Sequence, residues 1–228
     1  MHARFSTRDD WPRWLLDRIA LPRGARVLEV GCGPASLWEA NLDRIHPSWR
    51  LTLTDFSPGM IESARRVLGD RADYAVADAQ KLPFADASFD VVIANHMLYH
   101  VPDRPKALAE LARVLVRGGE FHAATNGYGH MRELHELVPG WEFARHTEEF
   151  GLETGVVQVE AFFMDVRVER HLCELLVTEV DPVVAYVRSS HTFGGDAEVV
   201  RAPVAEAIAR DGVFRIAKSQ GVIHARRP

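Results

Sequence analysis

Short apolar runs and amphipathic stretches alternate along the first half of the chain. The apolar runs predict strands over Arg26–Val30, Trp49–Thr54, Tyr74–Ala77, Phe89–Ala94 and Glu120–Thr125. Apolar residues at helical spacing predict helices over Ser36–Ile45, Pro58–Leu68 and Arg104–Val116. Because strand and helix alternate, we expect an α/β fold with a mainly parallel sheet and helices on both faces.

The two ends of the chain follow a less regular pattern. Asp9 and Asp10 are candidate caps for a helix over Trp11–Ile19. Beyond Thr125 the sequence predicts helices over Met131–Val138, Asp181–Ser190 and Ala197–Ala209, strand-like runs within Val156–Arg170, and a hairpin of Phe214–Ala217 and Val222–Ala225 across Ser219-Gln220-Gly221. We therefore expect one domain, divided into an N-terminal helical cover (1–24), a ligand-binding core (25–126), a lid (127–155) and a C-terminal part (156–228).

Composition excludes several classes of protein. The chain has 228 residues, of which 47% are apolar and 26% charged, and a formal net charge of -5. This balance argues against general nucleic-acid binding, which needs a basic surface, and no apolar run is long enough to span a membrane. The N-terminus lacks the pattern of a secretory signal, so we expect a cytoplasmic protein. The sequence leaves the oligomeric state open, a homodimer included.

Cysteine and histidine spacing predicts no metal site. The two cysteines, Cys32 and Cys173, lie far apart in the chain and are expected to be free thiols. The eleven histidines form no set with the spacing of metal ligands.

A glycine turn follows the first predicted strand. The run Val27-Leu28-Glu29-Val30-Gly31-Cys32-Gly33 leads from a buried strand into a helix. Glycine adopts positive φ and has no Cβ, so a ligand can lie against the main chain at this turn. Glu29 lies within the strand, where its carboxylate needs a donor from a ligand or from the protein. Alone, this pattern is compatible with several nucleotides.

Polar residues also follow the next three strands. Asp55 stands 22 positions after Gly33, the separation at which a carboxylate can reach the hydroxyls of a ribose. Asp78, at the next strand end, is a candidate acceptor for an adenine amine, and Asn95 and His96 follow the fourth strand. Each aspartate has a plain alternative as a helix cap or turn residue. Since parallel strands end at one edge of the sheet, we expect these residues to converge.

The residues resemble the class I S-adenosylmethionine-dependent methyltransferases, in the branch that acts on small molecules. The resemblance is carried by the glycine turn, by Leu53 to Met60, by Ala77 to Phe84 followed by Ser88 to Val92, and by Leu108 to Gly119. It covers roughly residues 24 to 126 and implies a Rossmann-like, doubly wound, seven-stranded sheet with a small lid after the fifth strand. It also implies S-adenosylmethionine as cofactor and S-adenosylhomocysteine as product.

The resemblance further implies a role for each matching residue. The methionine part of the cofactor would be flanked by Gly31, Cys32, Gly33 and Asn95, with Glu29 beside them. The ribose would be bound by Asp55. The adenine would be bordered by Phe56 and Met60, and its edge would meet Asp78 and Ala79. Phe56 and Met60 could equally be core residues. Ala35 departs from the family pattern, because many members have a third glycine there.

Histidines near the fourth strand are the candidate catalytic groups. His96 and His100 could each serve as a general base for a hydroxyl or carbon acceptor, or be loop histidines bound to backbone. The candidate acceptor-binding residues are Tyr99, Tyr128, His130 and His135, with His191 and Phe193 as weaker ones. The expected partner is a small-molecule acceptor whose identity and attacking atom the sequence does not define.

Two other functions compete with methyl transfer. A nicotinamide-dependent oxidoreductase would also place a carboxylate at Asp55, but its fingerprint requires glycine at position 36, which is serine here. A methyltransferase-like protein that binds cofactor without methylating, as a pericyclic scaffold or a partner subunit, is compatible with every motif above.

Overall fold

The computed structural model describes residues 1–8, 10–138, 143–189 and 196–228, without the side chains of residues 2, 3 and 143–145. Within these ranges seven strands form one sheet. They are β1 (Arg26–Val30), β2 (Arg50–Asp55), β3 (Ala72–Val76), β4 (Phe89–Asn95), β5 (Leu115–Asn126), β6 (Met164–Val177) and β7 (Phe214–Arg226). Their order across the sheet is β3-β2-β1-β4-β5-β7-β6.

The first five strands run parallel, and β7 pairs antiparallel with both β5 and β6. The order reverses at β1 and β4, so the crevice for a ligand lies where these two strands end. This arrangement confirms the predicted Rossmann-like sheet with mostly parallel strands.

Helices connect the strands and cover both faces of the sheet. They are α1 (His2–Phe5), α2 (Trp11–Leu16), α3 (Ser36–Glu39), α4 (Pro58–Leu68), α5 (Arg104–Val114), α6 (Arg132–His135), α7 (Phe143–Phe150), α8 (Thr154–Glu160), α9 (Asp181–Ser189) and α10 (Arg201–Asp211). Short 3-10 turns lie at Gly69–Arg71, Leu98–His100 and Ala197–Val200. In the described ranges, none of these helices is long and apolar enough to span a bilayer.

Alternate residues of the strands feed apolar clusters on opposite faces. Leu28 of β1 packs with Leu108 of α5 on one face, whereas its neighbour Val27 packs with Trp14 of α2 on the other. A third cluster joins the start of β7 to α9 through Ile216 and Val184. The strand ends are thereby held between two packed layers, which positions the residues that follow them.

The predicted hairpin at the C-terminus is wrong. Residues 214–226 form the single strand β7, and Gln220 pairs with Asn126 of β5 and with His171 of β6. Gly221, expected as a turn residue, instead permits close approach of the neighbouring strand: a Cβ there would lie 2.3 Å from the carbonyl oxygen of Glu169. Pairing on both sides therefore overrides the local turn signal.

Several helix boundaries also differ from the prediction. Residues 154–160 form α8 rather than a strand, since Val159 is fully buried while Val157 is 70% exposed, the spacing of a helix. The helix predicted over Ala197–Ala209 begins as a 3-10 turn and becomes regular from Arg201 to Asp211. The regular helix predicted to reach Ile45 ends at Glu39 and continues as turns.

The N-terminal helix α2 is shorter than predicted and ends at Leu16. Asp10 occupies its cap position but makes no side-chain capping bond there, because its carboxylate contacts Arg8 and His171 instead. Asp9, the other predicted cap, and the predicted helix stop at Pro139-Gly140 lie outside the described residues, as do His191 and Phe193.

Candidate active site

The glycine turn connects β1 to α3 at the centre of the sheet edge. Gly31 and Gly33 have φ of 68° and 54°, the region that favours glycine. A Cβ on Gly31 would lie 2.6 Å from Cβ of Met97, whereas a Cβ on Gly33 would meet nothing within 4 Å. Gly31 thus lets the turn pack against the loop after β4, and Gly33 leaves its main chain open to a ligand.

Ala35 departs from the family pattern without entering the site. Its φ is 68° and its side chain is fully buried in the cluster beneath α3. The methyl group faces the core, so alanine in place of glycine affects the backbone conformation of the turn and leaves the space for a ligand unchanged.

A larger cavity of about 610 Å³ lies on the side of the turn that faces β2 and β3. It brings together most of the predicted cofactor residues and both candidate bases. Its lining includes Gly31, Gly33, Asp55, Phe56, Met60, Asp78, Ala79, His96 and His100.

Asp55 ends β2 and is fixed by two backbone donors. Its Oδ2 accepts from the Gly33 amide at 2.9 Å and its Oδ1 accepts from the Ser57 amide at 2.9 Å. The carboxylate therefore braces the glycine turn and the start of α4 at once. Each oxygen retains a lone pair that can accept from a ligand hydroxyl in the cavity.

Phe56 and Met60 are cavity residues rather than core residues. Phe56 is 76% exposed and Met60 is 44% exposed, and both line the larger cavity. An exposed aromatic ring beside a cavity offers a face on which a flat ligand can stack.

Asp78 and Ala79 close the far end of the same cavity. Asp78 accepts from the backbone and side-chain amides of Gln80 at 2.8 Å and 3.0 Å, and these hydrogen bonds lower its pKa. Ala79 is buried against the core. The turn thus holds an ionised carboxylate at the cavity wall, as an acceptor for a ligand amine.

A smaller cavity of about 300 Å³ lies on the other side of the glycine turn, under α2. Its lining includes the remaining predicted residues Glu29, Cys32 and Asn95, together with Gly31, Gly33, His96 and Trp11. The glycine turn and His96 border both cavities, so one elongated ligand could occupy both.

Glu29 is a buried carboxylate with two protein donors. Trp38 Nε1 donates to its Oε2 at 2.6 Å and Asn95 Nδ2 donates to its Oε1 at 2.9 Å. Burial raises the pKa of Glu29 to about 7, although the two hydrogen bonds lower it. A cation bound in the smaller cavity would favour the ionised form.

Asn95 presents an acceptor that lacks a partner. Its Nδ2 donates to Glu29, which leaves Oδ1 as a buried oxygen without a hydrogen bond in the part of the chain that the structure describes. Cys32 lies nearby, and burial raises the pKa of its thiol, so it stays protonated. A carboxylate beside an unpartnered amide oxygen suits a ligand ammonium, which donates to both.

His96 follows β4 with a φ of 50° and borders both cavities. Its ring centroid lies 5.7 Å from that of Trp11 and 6.5 Å from that of Tyr99. Burial, together with the charge of Lys218, lowers its pKa to about 4. The imidazole is therefore neutral at pH 7, and a weaker base than a histidine with ordinary pKa.

Tyr99 and His100 pack together beside the larger cavity. Tyr99 lies 4.5 Å from His100 and stacks on His146 of α7 at 4.8 Å, by ring centroids. Burial raises the pKa of Tyr99 and lowers that of His100. His100 lines the cavity, whereas Tyr99 supports it from behind, in the apolar cluster with α5.

The other predicted acceptor-binding residues lie elsewhere. Tyr128, His130 and His135 line a separate outer cavity of about 220 Å³, and among the described residues none lines both this cavity and either of the two above. His130 Nδ1 lies 2.9 Å from the carbonyl oxygen of Ser219, and burial lowers the pKa of His135 to about 4. Position after β5 alone was the basis of the prediction, and the chain turns away from the central crevice there.

Three contributing residues were missed in the sequence. Trp38 holds Glu29, Met97 packs on Gly31, and Gln80 holds Asp78. Trp38 lies nine positions after Glu29, on the helix that the glycine turn opens. This position in the sequence could have predicted the contact, because the first helix after such a turn packs back over its strand.

The segment around this site matches a known family. Residues 28–123 match the family model described as a methyltransferase domain. Over these residues the chain is similar to that family. The matched segment runs from β1 to β5 and contains the glycine turn, Asp55, Asp78, Asn95 and both candidate histidines.

Individual methyltransferases resemble about half of this chain. A ubiquinone/menaquinone biosynthesis C-methyltransferase of Desulfotalea psychrophila is 37% identical over 110 residues, which cover 48% of this chain and 44% of the relative. A malonyl-[acyl-carrier protein] O-methyltransferase of Geobacter sulfurreducens is 38% identical over 112 residues, covering 48% and 42%. The chain thus spans less than half the length of these relatives.

The fold of the whole chain is shared with solved structures. Phosphoethanolamine N-methyltransferase 2 of Haemonchus contortus, in complex with phosphomonomethylethanolamine and S-adenosylhomocysteine, superposes with a TM-score of 0.62. The match covers 98% of this chain and 54% of that protein, at 20% identity. At this identity the likeness concerns the fold.

Proposed function

We propose that this protein transfers a methyl group from S-adenosylmethionine to a small-molecule acceptor. The observation that carries the proposal is the pair of Glu29 and Asn95 beside the glycine turn: a buried carboxylate and an unpartnered amide oxygen, the acceptors that a ligand ammonium requires. A nucleotide without an ammonium group would leave Asn95 Oδ1 without a cationic donor and Glu29 without a counter-charge.

The chemistry of the donors fits the rest of the cofactor. Asp55 lies beside the open main chain of Gly33 and would accept from both ribose hydroxyls. The exposed ring of Phe56, with Met60, would cover the adenine, and the carboxylate of Asp78 would accept from its amine. Ala79 would border the ring, and Gly31 and Cys32 would flank the methionine portion.

The reaction needs alignment and exclusion of water more than it needs a dedicated base. When bound, the cofactor supplies a methyl carbon on a positively charged sulfur: the acceptor's electron pair forms the new bond as the carbon-sulfur bond breaks, and the sulfur keeps that pair. Of the two predicted bases, neutral His96 borders both cavities at their junction. His100 is the second candidate, on the wall of the larger cavity.

The relatives support a small-molecule acceptor. Two of the relatives methylate carbon or oxygen of small or carrier-bound molecules, as their names state. These names do not define which atom of this protein's acceptor receives the methyl group. Cytoplasmic location, the four-part division of the chain and a lid over 127–155 stay predictions.

The test uses cofactor with an isotopically labelled methyl group. The purified protein is incubated with this cofactor and a panel of hydroxyl, amine and carbon acceptors, and products are screened by mass for a gain of one methyl group. Label in a product, reduced in Asp55→Ala, supports the proposal. Tight cofactor binding without label in any product would favour the non-methylating scaffold, and a binding signal with a nicotinamide dinucleotide alone would favour the oxidoreductase.

A further inference from the structure

The apolar face of β7 is interrupted near the middle of the strand. Ile216 and Val222 are fully buried in apolar clusters, but Lys218 and Gln220 stand between them on the same face. On the neighbouring strand β6, His171 pairs directly with Gln220. We call Lys218, Gln220 and His171 the polar floor.

Two groups of the polar floor are buried without a partner. Gln220 is 4% exposed and its Nε2 has no hydrogen bond within the described ranges. His171 is 1% exposed, its Nε2 lies 2.9 Å from Oδ1 of Asp10, and its Nδ1 likewise lacks a partner in the described chain. Burying such groups unsatisfied is unfavourable, so each is a candidate to bind a ligand.

The hydrogen bond to Asp10 defines which ring nitrogen of His171 carries the proton. Arg8 is the main cause that lowers the pKa of Asp10 to about 2, so Asp10 is an ionised acceptor and His171 donates through Nε2. Burial lowers the pKa of His171, which keeps the ring neutral. Its Nδ1 therefore presents a lone pair that can accept a proton.

Trp11 connects the polar floor to the proposed site of methyl transfer. Its ring centroid lies 5.4 Å from that of His171 and 5.7 Å from that of His96. Trp11 and His96 both line the smaller cavity that contains Glu29 and Asn95. Trp11 therefore contacts both His171 of the polar floor and the smaller cavity.

We propose that Gln220, His171 and Trp11 form the acceptor site, and that the acceptor is a planar molecule with a phenolic or enolic hydroxyl. This inference rests on the proposed function. The Gln220 amide would donate to the acceptor oxygen, His171 Nδ1 would accept its proton, and Trp11 would stack on its ring. The charge of Lys218, which lowers the pKa of both His96 and His171, would favour the deprotonated oxygen.

The proton and the electrons balance in this arrangement. The hydroxyl proton passes to Nδ1 of His171, which becomes imidazolium while Asp10 accepts from Nε2. The electron pair left on the oxygen, or on the carbon conjugated with it, forms the bond to the methyl group. The proton then leaves to solvent when the product departs.

The test uses 4-nitrophenol as the hydroxyl probe and nitrobenzene as its planar partner without a hydroxyl. Both are titrated into protein saturated with S-adenosylhomocysteine, and the absorbance of the phenolate is followed. We expect 4-nitrophenol to bind at least tenfold more tightly than nitrobenzene, with a larger phenolate fraction than in buffer of the same pH. Equal binding of the two probes would overturn the inference.

Variants assign the effect to the polar floor. Gln220→Leu should weaken 4-nitrophenol binding at least fivefold and leave S-adenosylhomocysteine binding unchanged, while Gln158→Leu, on α8, should change neither. Gln220→Glu should lower the bound phenolate fraction through charge repulsion, which is a second readout if the leucine variant does not fold. If a Gln220 variant still binds S-adenosylhomocysteine and binds 4-nitrophenol as the wild type does, the inference is overturned. If the wild-type protein itself does not bind S-adenosylhomocysteine, the proposed function is overturned.

Discussion

The cofactor cavities and the polar floor differ in how their polar groups are held. In the cavities, Asp55 accepts from two backbone amides, Asp78 from Gln80, and Glu29 from Trp38 and Asn95. On the polar floor, Gln220 Nε2 and His171 Nδ1 have no partner among the described residues. The first region is organised before a ligand binds at every group but Asn95 Oδ1, which has no partner among the described residues, whereas two of the three side chains of the polar floor await one.

The difference has a physical origin in the sheet. Parallel strands end together, so Asp55 at the end of β2 finds a partner in the turn after β1, and Asn95 at the end of β4 finds one in Glu29 of β1. The polar floor instead lies inside the antiparallel pair of β6 and β7, where the strand backbones already satisfy one another and side chains must find partners above the sheet. An acceptor site built this way can change its chemistry without disturbing the cofactor site.

The largest expected effect comes from Glu29→Gln, which removes the buried charge of the organised region. The pKa of Glu29 is raised from 4.5 to about 7, so its favourable contribution to folding is full below pH 4.5 and is lost as the pH rises through 7. Glutamine does not titrate. The variant should therefore gain about 3 kcal/mol in free energy of unfolding relative to wild type between pH 4.5 and pH 8.

Chemical denaturation at the two pH values measures this gain, with Glu39→Gln, an exposed carboxylate on α3, as the control. The same variant should bind S-adenosylhomocysteine at least tenfold more weakly, because the ammonium loses its counter-charge. A variant whose stability follows that of wild type at both pH values would show that Glu29 is not held in a desolvated state.

Asp55→Ala should have the second largest effect. It removes the predicted ribose acceptor and the brace on the amide of Gly33, and we expect cofactor affinity to fall roughly thirtyfold, about 2 kcal/mol. Calorimetric titration with S-adenosylhomocysteine measures it. Asp55→Asn keeps one acceptor oxygen and should lose less, and an unchanged affinity in Asp55→Ala would remove this residue from the site.

His96→Asn tests the junction between the two regions. We expect kcat for methyl transfer to fall about tenfold while the affinity for S-adenosylhomocysteine changes less than threefold. Since the pKa of His96 is lowered to about 4, its titration should add no inflection to the wild-type pH profile between pH 6 and pH 8. An inflection in this range that disappears in the variant would contradict the assignment.

The smallest effect is expected from Phe56→Ala. Loss of stacking on the adenine should weaken cofactor binding about fivefold, or about 1 kcal/mol. Stability should stay within about 0.5 kcal/mol, because the ring is 76% exposed. Leu172→Ala, also an exposed apolar residue at 62%, is the control that should leave binding unchanged. Equal effects of the two substitutions would exclude a specific contact.

The sequence allowed more to be predicted for the first region than for the second. The strand ends at Asp55, Asp78 and Asn95 follow from local apolar runs, so their convergence was predictable from the sheet alone. The polar floor requires the register between His171 and Gln220, which lie 49 positions apart. That register depends on β7 running straight through Gly221, where local turn propensity predicted a hairpin.

The predicted acceptor-binding residues stay a prediction, although the structure separates three of them from the cofactor cavities. Tyr128, His130 and His135 were placed in the site because they follow β5, but β5 is followed by a turn toward the outer cavity. Trp11 was predicted as part of a helix face, and its contact with His96 depends on how α2 crosses the sheet. Packing of distant elements is not encoded in local periodicity.

The most direct test of the central claim is a calorimetric titration of the wild-type protein with S-adenosylhomocysteine at pH 7 in two buffers of different ionisation enthalpy. Glu29, with its pKa of about 7, is about half protonated at pH 7 and would ionise fully as it accepts the ligand ammonium. We therefore predict one-to-one binding with net release of about half a proton. Binding without proton release would contradict the role of Glu29, and no binding in either buffer would contradict the account as a whole.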